Sequence, residues 1–418
     1  MRQTKTLSAA LLAFACVAGG LASTVVFAPT AAHAAKEQKV GQKVGKPLKE
    51  AQEAAQKGDF KSALVKVKEA DAVSGKTAYE QQTVNEFLGY VAINLKDYAT
   101  AAKAFEATVT SGQLDAAQVP ARLKAVTQLN YQIKNYDKAK QFANRYLKEV
   151  GPDTEIQLML AQVAYIQQDY KTSGDMVRQV IRAADAAGKP VKKEWLELDM
   201  SSAYKLGNMD GVASSLKQLV TRYPSKEYWE QLLDLSMRKT GLSDKDNLDY
   251  YRLKRANGLI KDGSELVEMA QLAIQAGLPG EAKTVLEKGF ADGQLGGVNK
   301  ERETRLLTMA KTQAATDQKS LAADEATAAK AATGEASVKI GEAYSSYGMH
   351  DKAIAAINAG IAKGGLKNPE DAKLRLALAQ LAAGKTADAS KTLRDVKAGT
   401  GNTSTIADLW RIYVGNKS

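Results

Sequence analysis

From about residue 47 onward, apolar positions fall three and four apart along most of the chain, the spacing of one buried face of an α-helix. No stretch there alternates apolar and polar residues long enough to predict a strand. The helical stretches are interrupted in one recurring way. Gly58-Asp59-Phe60 leads to Ala63 and then to Val67. Lys96-Asp97-Tyr98 leads to Ala101 and Phe105, Lys134-Asn135-Tyr136 to Ala139 and Ala143, and Gln168-Asp169-Tyr170 to Ser173 and Val177. Gly207-Asn208-Met209 leads to Val212 and Leu216, and the layout returns at Gly277, Gly348 and Gly384, with Ala282, Ala353 and Ala389 in the small position. Single steps run from 34 to 39 residues and two double steps are 70 and 71, a period near 36. About ten units are expected, two of them degenerate, near residues 242 and 313.

Each unit reads as two helices joined by a tight turn. Leu88-Gly89, Leu160-Ala161, Met269-Ala270, Ile340-Gly341 and Leu376-Ala377 place a small residue late in the first helix. The Ala after the turn offers a matching small surface on the second, and the aromatic at the turn plugs the gap. Pro47, Pro120, Pro152, Pro190, Pro224, Pro279 and Pro369 all fall at expected helix starts or turns, where a missing N–H costs little. Asn368-Pro369-Glu370-Asp371 combines a capping residue, a first-turn proline and acids at the positive end of the helix dipole.

The pattern resembles the tetratricopeptide repeat family. Leu88-Gly89, Tyr98, Ala101 and Phe105 carry it in one unit, and Ile340-Gly341, Tyr344, Gly348 and Ala353 in another. Pro224 matches the closing proline of the family, although most units lack both that proline and the tryptophan of the first helix. The resemblance implies an all-α, right-handed α-solenoid of helix-turn-helix repeats over residues 47–397, closed by a C-terminal capping helix and tail over 398–418. Ile406, Leu409, Trp410 and Tyr413 have the spacing for that helix. Tyr223-Pro224-Ser225-Lys226-Glu227-Tyr228-Trp229 and Ala276-Gly277-Leu278-Pro279-Gly280-Glu281-Ala282 are similar to segments of large exported repeat proteins associated with TonB-type systems in Gram-negative bacteria.

The first 34 residues read as an address. Arg2 and Lys5 precede an uncharged, largely apolar run from Leu7 to Ala28, and Ala32-His33-Ala34 is an A-x-A cleavage pattern. A secretory signal peptide cut after Ala34 is expected, which places the protein in the periplasm; an uncleaved inner-membrane anchor facing the periplasm is the alternative. Cys16 lacks the small-residue lipobox of a lipoprotein, being preceded by Ala13-Phe14-Ala15. Residues 35–46 form a basic linker, and Lys36, Lys39, Lys43, Lys46 and Lys49 make a basic lead-in for which anionic membrane is the alternative contact.

Composition narrows the chemistry. The 418 residues are 44% hydrophobic and 25% charged, globular values, with net charge +11. One cysteine and two histidines, Cys16, His33 and His350, exclude a disulfide scaffold and a Cys/His metal cluster. Cleavage leaves His350 as the one histidine, at a turn position where other units place Phe or Tyr, so packing is its expected role. No phosphate-binding glycine loop follows a strand, and Gly293-Gln294-Leu295-Gly296-Gly297 reads as a turn between repeats. No catalytic residue, cofactor, metal or nucleic-acid partner is expected.

Function in such an array lies on the concave face lined by first helices. Tyr131, Tyr165 and Tyr204 each stand three residues before a turn start, and Phe87 and Tyr90 occupy the first helix of an earlier unit. These five are candidates for stacking on an extended peptide or glycan, with packing between helices as their alternative role. The family's carboxylate clamp is not carried over, because Glu86 and Tyr90 stand at its Lys and Asn positions. The expectation is a periplasmic scaffold or adaptor holding an envelope protein or peptide segment in its groove, in a TonB-type transport complex. The alternatives are an envelope glycan-binding or polysaccharide-export factor and a cell-wall enzyme on a helical frame.

Overall fold

Every turn start read from the period carries a left-handed backbone. In the computed structural model, which describes residues 40–399 and 401–417, φ is positive at Gly58, Lys96, Lys134, Gln168, Gly207, Gly277, Gly348 and Gly384. One left-handed residue reverses the chain between two helices, and glycine does this without steric cost. Where the next residue is Asp it caps the second helix: the carboxylates of Asp59, Asp97 and Asp169 accept from the N–H groups of Ser62, Thr100 and Thr172.

The chain forms two compact units. The first, up to Val119, holds two hairpins: α1 (Gln42–Gln56) with α2 (Phe60–Asp71), and α3 (Ala78–Asn94) with α4 (Tyr98–Thr110). Helix α1 begins at Gln42, ahead of the boundary expected at 47, so Lys43 and Lys46 lie on a helix and not in a linker. Pro47 accordingly stands inside α1 and not at its start. The apolar spacing Val44, Leu48, Ala51, Ala55 carries the helix through it, because all four are buried in the unit's core. The signal segment, its cleavage site, Cys16 and His33 lie outside the described residues.

The second unit continues with α5 (Val119–Gln132), α6 (Tyr136–Glu149), α7 (Thr154–Ile166), α8 (Tyr170–Ala186), α9 (Lys193–Lys205) and α10 (Met209–Arg222). There follow α11 (Lys226–Met237), α12 (Asp244–Ala256), α13 (Gly263–Gln275), α14 (Pro279–Ala291) and α15 (Lys300–Lys330). The last are α16 (Glu335–Ser346), α17 (His350–Lys363), α18 (Pro369–Ala382), α19 (Thr386–Asp395) and α20 (Asn402–Gly415). The described residues hold no strand, and the architecture is all-α, an α-solenoid of stacked helical hairpins.

The periodic small residues do what their spacing requires. Ala63, Ala101, Ala139, Ser173, Val212, Ala282, Ala353 and Ala389 are all buried, and so are the residues four further on. A Cβ on Gly89 would sit 2.1 Å from the Phe105 ring, and one on Gly341 would sit 2.4 Å from Ile357. The two helices of those hairpins touch at distances that glycine alone permits.

Two expectations change. The degenerate unit near 242 is a hairpin, α11 and α12, with Gly241 left-handed at its turn. The unit near 313 has no turn: α15 runs unbroken for 31 residues. No glycine or proline lies between Lys300 and Lys330, and the Ala-rich sequence has high helix propensity. Its first half buries Leu306 and Ala310 in the core of α13 and α14, and Leu321 enters the core of α16, α17 and α18. Tyr347 and Tyr344 bond it from α16, to Asp317 and Glu325, each at 2.6 Å. Nine hairpins, one single helix and α20 therefore stand among the described residues in place of ten uniform repeats.

The largest departure from a simple array is closure within the second unit. Repeats in an array touch their chain neighbours. Here α20 returns to α12 and α10, and α18 reaches α12 through Arg375 and Asp249. Leu374, Leu393, Ile406, Leu409 and Trp410 share one core with Leu216, Leu219, Leu232 and Leu253. The terminal helix thus covers far more than the last hairpin.

Candidate functional site

Three successive hairpins of the second unit present tyrosine at the same place. Tyr131 of α5 meets Tyr136 edge to face at a centroid separation of 5.9 Å, and Tyr165 of α7 meets Tyr170 at 5.2 Å. Each pair spans its own turn, so the first-helix tyrosine packs on the aromatic that opens the second helix. The Tyr165 hydroxyl is also hydrogen-bonded to Ser201 of the next hairpin, and burial raises its pKa. Both rings are half-buried.

The third position breaks the pattern. Met209 stands where the turn aromatic would be, and Tyr204 is 45% exposed. Leu206 and Met209 beside it are 49% and 41% exposed, and Ile166 on the preceding turn is 44% exposed. Four large apolar side chains therefore face water on the turns of two consecutive hairpins. Links between neighbouring turns hold this edge in shape: Gln167 Nε2 donates to Asp137 at 3.0 Å, and Lys239 Nζ to Asp210 at 3.3 Å. The periodic pattern pointed to Tyr204 but not to Ile166, Leu206 or Met209, whose types match those of the core.

Phe87 and Tyr90 lie in the first unit. Tyr90 packs edge to face on Phe60 at 6.1 Å and on Phe87 at 6.0 Å, and all three border the core of that unit. Their surroundings are those of packing residues.

The segments that carry the TonB-type resemblance have structural work. Ser225 caps α11 by accepting from the Tyr228 N–H, the Tyr223 hydroxyl donates to the Val191 carbonyl at 2.7 Å, and Trp229 is buried. Burial, together with a 2.5 Å bond to Glu197, pushes the Tyr228 phenol up to about 12. These residues border an open cleft of about 520 Å³ whose cations are paired, Arg222 with Asp185 and Lys193 with Glu197. A Cβ on Gly280 would meet Tyr347 at 2.6 Å, so the second segment lets α14 approach α16. His350 opens α17, with Nδ1 buried and without a hydrogen-bond partner.

A charge cluster that the sequence did not announce closes the second unit. Arg375 of α18 grips Asp249 of α12 with both terminal nitrogens, through a 2.7 Å bond from Nη1 to Oδ1 and a second from Nη2 to Oδ2. Arg252 donates to the same Oδ1 at 2.7 Å and to Glu281 of α14 at 2.8 Å. Lys245 bonds Asp371 at 2.6 Å and lies 3.5 Å from Glu342 of α16. Burial raises the Asp249 pKa, but Arg375 and Arg252 outweigh it and hold the carboxyl below its ordinary range. Every charge is paired, so the cluster is a seam and offers no free ligand. No group of three or more His, Cys, Asp or Glu side chains among the described residues is placed to hold a metal. No described helix is long and apolar enough to cross a membrane.

The fold and this edge define a class: an all-α repeat protein built from stacked helical hairpins, with an exposed apolar turn edge. No protein-family model matches the chain. No curated protein is similar to it in sequence. Among solved structures it is similar to a tetratricopeptide repeat protein from Parabacteroides merdae, at 14% identity over 65% of this chain and 100% of that one, with a TM-score of 0.33. It is also similar to the TPR2AB-domain:pHSP90 complex of yeast Sti1, at 17% identity over 72% of this chain and 100% of that one, TM-score 0.25. The third is a thermophilic tetratricopeptide repeat protein of Thermus thermophilus, at 11% identity over 47% of this chain and 96% of that one, TM-score 0.26.

Proposed function

We propose that the protein is an exported, non-enzymatic scaffold of the tetratricopeptide type that holds a partner's extended segment against the turn edge of α7/α8 and α9/α10. The observation that carries this reading is the exposure of Ile166, Tyr204, Leu206 and Met209 on the turns of two consecutive hairpins, each turn tied to its outer neighbour, Gln167 to Asp137 and Lys239 to Asp210. Apolar groups held open to water on a rigid support are a standing gain for any partner that covers them. The recurring left-handed turn with a buried small residue five positions on supports the family assignment. The segment from Arg2 to Ala34 supports export to the periplasm, and the two TonB-like sequence segments favour an envelope transport complex as the setting.

A photoreactive residue placed at Leu206 in living cells tests the edge, with one at exposed Lys319 on α15 as comparator. The expected result is an envelope-protein adduct specific to position 206 and lost with Tyr204→Ser and Met209→Ser. The absence of any adduct specific to 206 overturns the reading, and retention of the purified protein on polysaccharide through Tyr204 would replace it with glycan binding. N-terminal sequencing of the protein from the periplasmic fraction is expected to begin at Ala35.

A further inference from the structure

The seat of α20 is built in a way that stacking alone does not demand. Its apolar face, Ile406, Leu409, Trp410 and Val414, is buried in the core that α10 and α12 contribute to. Its polar side chains reach backbone carbonyls. The Tyr413 hydroxyl donates to the Ala256 carbonyl at 3.2 Å, Asn416 Nδ2 to Val220 at 2.8 Å, and Arg411 Nη2 to Leu393 at 3.0 Å. The carbonyls of Ala256 and Val220 belong to the last turns of α12 and α10, out of reach of an N–H of the same helix, and that of Leu393 at the end of α19 also accepts from the Val396 N–H. Asp408 accepts from Lys217 of α10 at 3.3 Å. The groove thus offers an apolar floor, unsatisfied carbonyls at two helix ends and one cation, the features that receive an amphipathic helix.

The present occupant is not a perfect fit. Trp410 Nε1 and Arg411 Nε are buried with no hydrogen-bond partner, a cost that any opening of the seat relieves. The connection from α19 contains Gly399 and Gly401, around whose Cβ positions there is open space.

We infer that the groove along the C-terminal ends of α10 and α12 is a binding site for an amphipathic helix, and that α20 is its resident, displaceable occupant. The partner helix carries α20's pattern. It has large apolar residues at its first, fourth, fifth and ninth positions, an acid at the third facing Lys217, and side-chain donors at the eighth and eleventh for the carbonyls of Ala256 and Val220. The site sits at the end of α10 remote from Met209 and stands independently of the turn edge.

The test uses the full chain and a fluorescent peptide of residues 402–417. Saturable binding is expected, weakened at least tenfold by Trp410→Ala in the peptide. In a Cys16→Ser chain, cysteines introduced as Asp246→Cys and Asn402→Cys and joined by a short bismaleimide hold α20 in place, since those side chains are 3.0 Å apart. Binding is expected to vanish in the joined chain and persist in the unjoined one. Hydrogen exchange on the unaltered chain gives a readout free of substitutions: α20 amides should exchange well ahead of those of α9. Failure of the peptide to bind the unjoined chain overturns the inference. So does undiminished binding to the joined chain, or exchange of α20 in step with α9.

Discussion

The guanidinium of Arg375 lies across the carboxylate of Asp249, 126 residues earlier in the chain, and both are almost wholly buried. This pair joins α18 to α12 and turns a run of neighbouring hairpins into a closed unit. Removing Arg375 strips the buried Asp249 carboxylate of its two-pronged partner and leaves Arg252 to hold Oδ1. Arg375→Met is expected to cost about 3–5 kcal/mol, while the double change Asp249→Leu with Arg375→Met recovers most of it, because Arg252 keeps Glu281. Urea unfolding followed by tryptophan fluorescence measures this in the second unit, which contains Trp195, Trp229 and Trp410.

Acid should release the same seam, and the sign follows from Asp249. Its folded pKa lies below the ordinary 3.8, so its contribution is fully present above that value and is lost as pH falls through the depressed one. The groups facing it are Arg252 on its own helix, Glu281 on α14, Glu342 on α16, and Asp371 and Arg375 on α18, with Lys245 alongside. The stability difference between the native chain and Asp249→Asn is expected to stay constant from neutral pH to about pH 5 and to shrink below about pH 4. Paired urea titrations across that range check it.

Gly89 tests the close approach in the first unit. With the Phe105 ring 2.1 Å from any added Cβ, Gly89→Ala forces α3 and α4 apart. The gain in helix propensity is outweighed, and a net loss of about 1–3 kcal/mol is expected. Gly45→Ala on α1, whose Cβ position has no neighbour nearer than 3.6 Å, is the control that should not destabilise. Unfolding followed by far-ultraviolet circular dichroism separates the two.

Lys96, Lys134 and Gln168 hold left-handed backbones that glycine adopts without strain. Each exposed side chain projects into solvent, so its removal forfeits little packing. Lys96→Gly, Lys134→Gly and Gln168→Gly are each expected to stabilise by about 0.5–1 kcal/mol, the relief of strain exceeding the extra freedom glycine brings to the unfolded chain. Thermal midpoints of the single variants and of the triple variant check the sign and the additivity.

The hairpins were legible because their information is local. A left-handed turn residue and a buried residue five positions after it lie within one stretch of chain at all eight turns, and at five of them an Asp or Asn follows the left-handed residue. Near 313 nothing in the sequence stops a helix and the period lapses, and at Pro47 apolar burial overrides the proline.

The sequence by itself determined the all-α class, the repeat period and the turn positions, because helix periodicity and turn chemistry act between residues a few positions apart. Tertiary structure alone decided which apolar side chains stay wet and which partners meet across the second unit. Leu206 and Leu216 are the same residue type, and what separates exposed from buried is the helix that packs over the latter. Asp249 with Arg375, and Asn416 with the carbonyl of Val220, are 126 and 196 residues apart, and no periodic pattern records such pairs. They exist because the last helices return to α10 and α12, a choice made by the fit of whole surfaces.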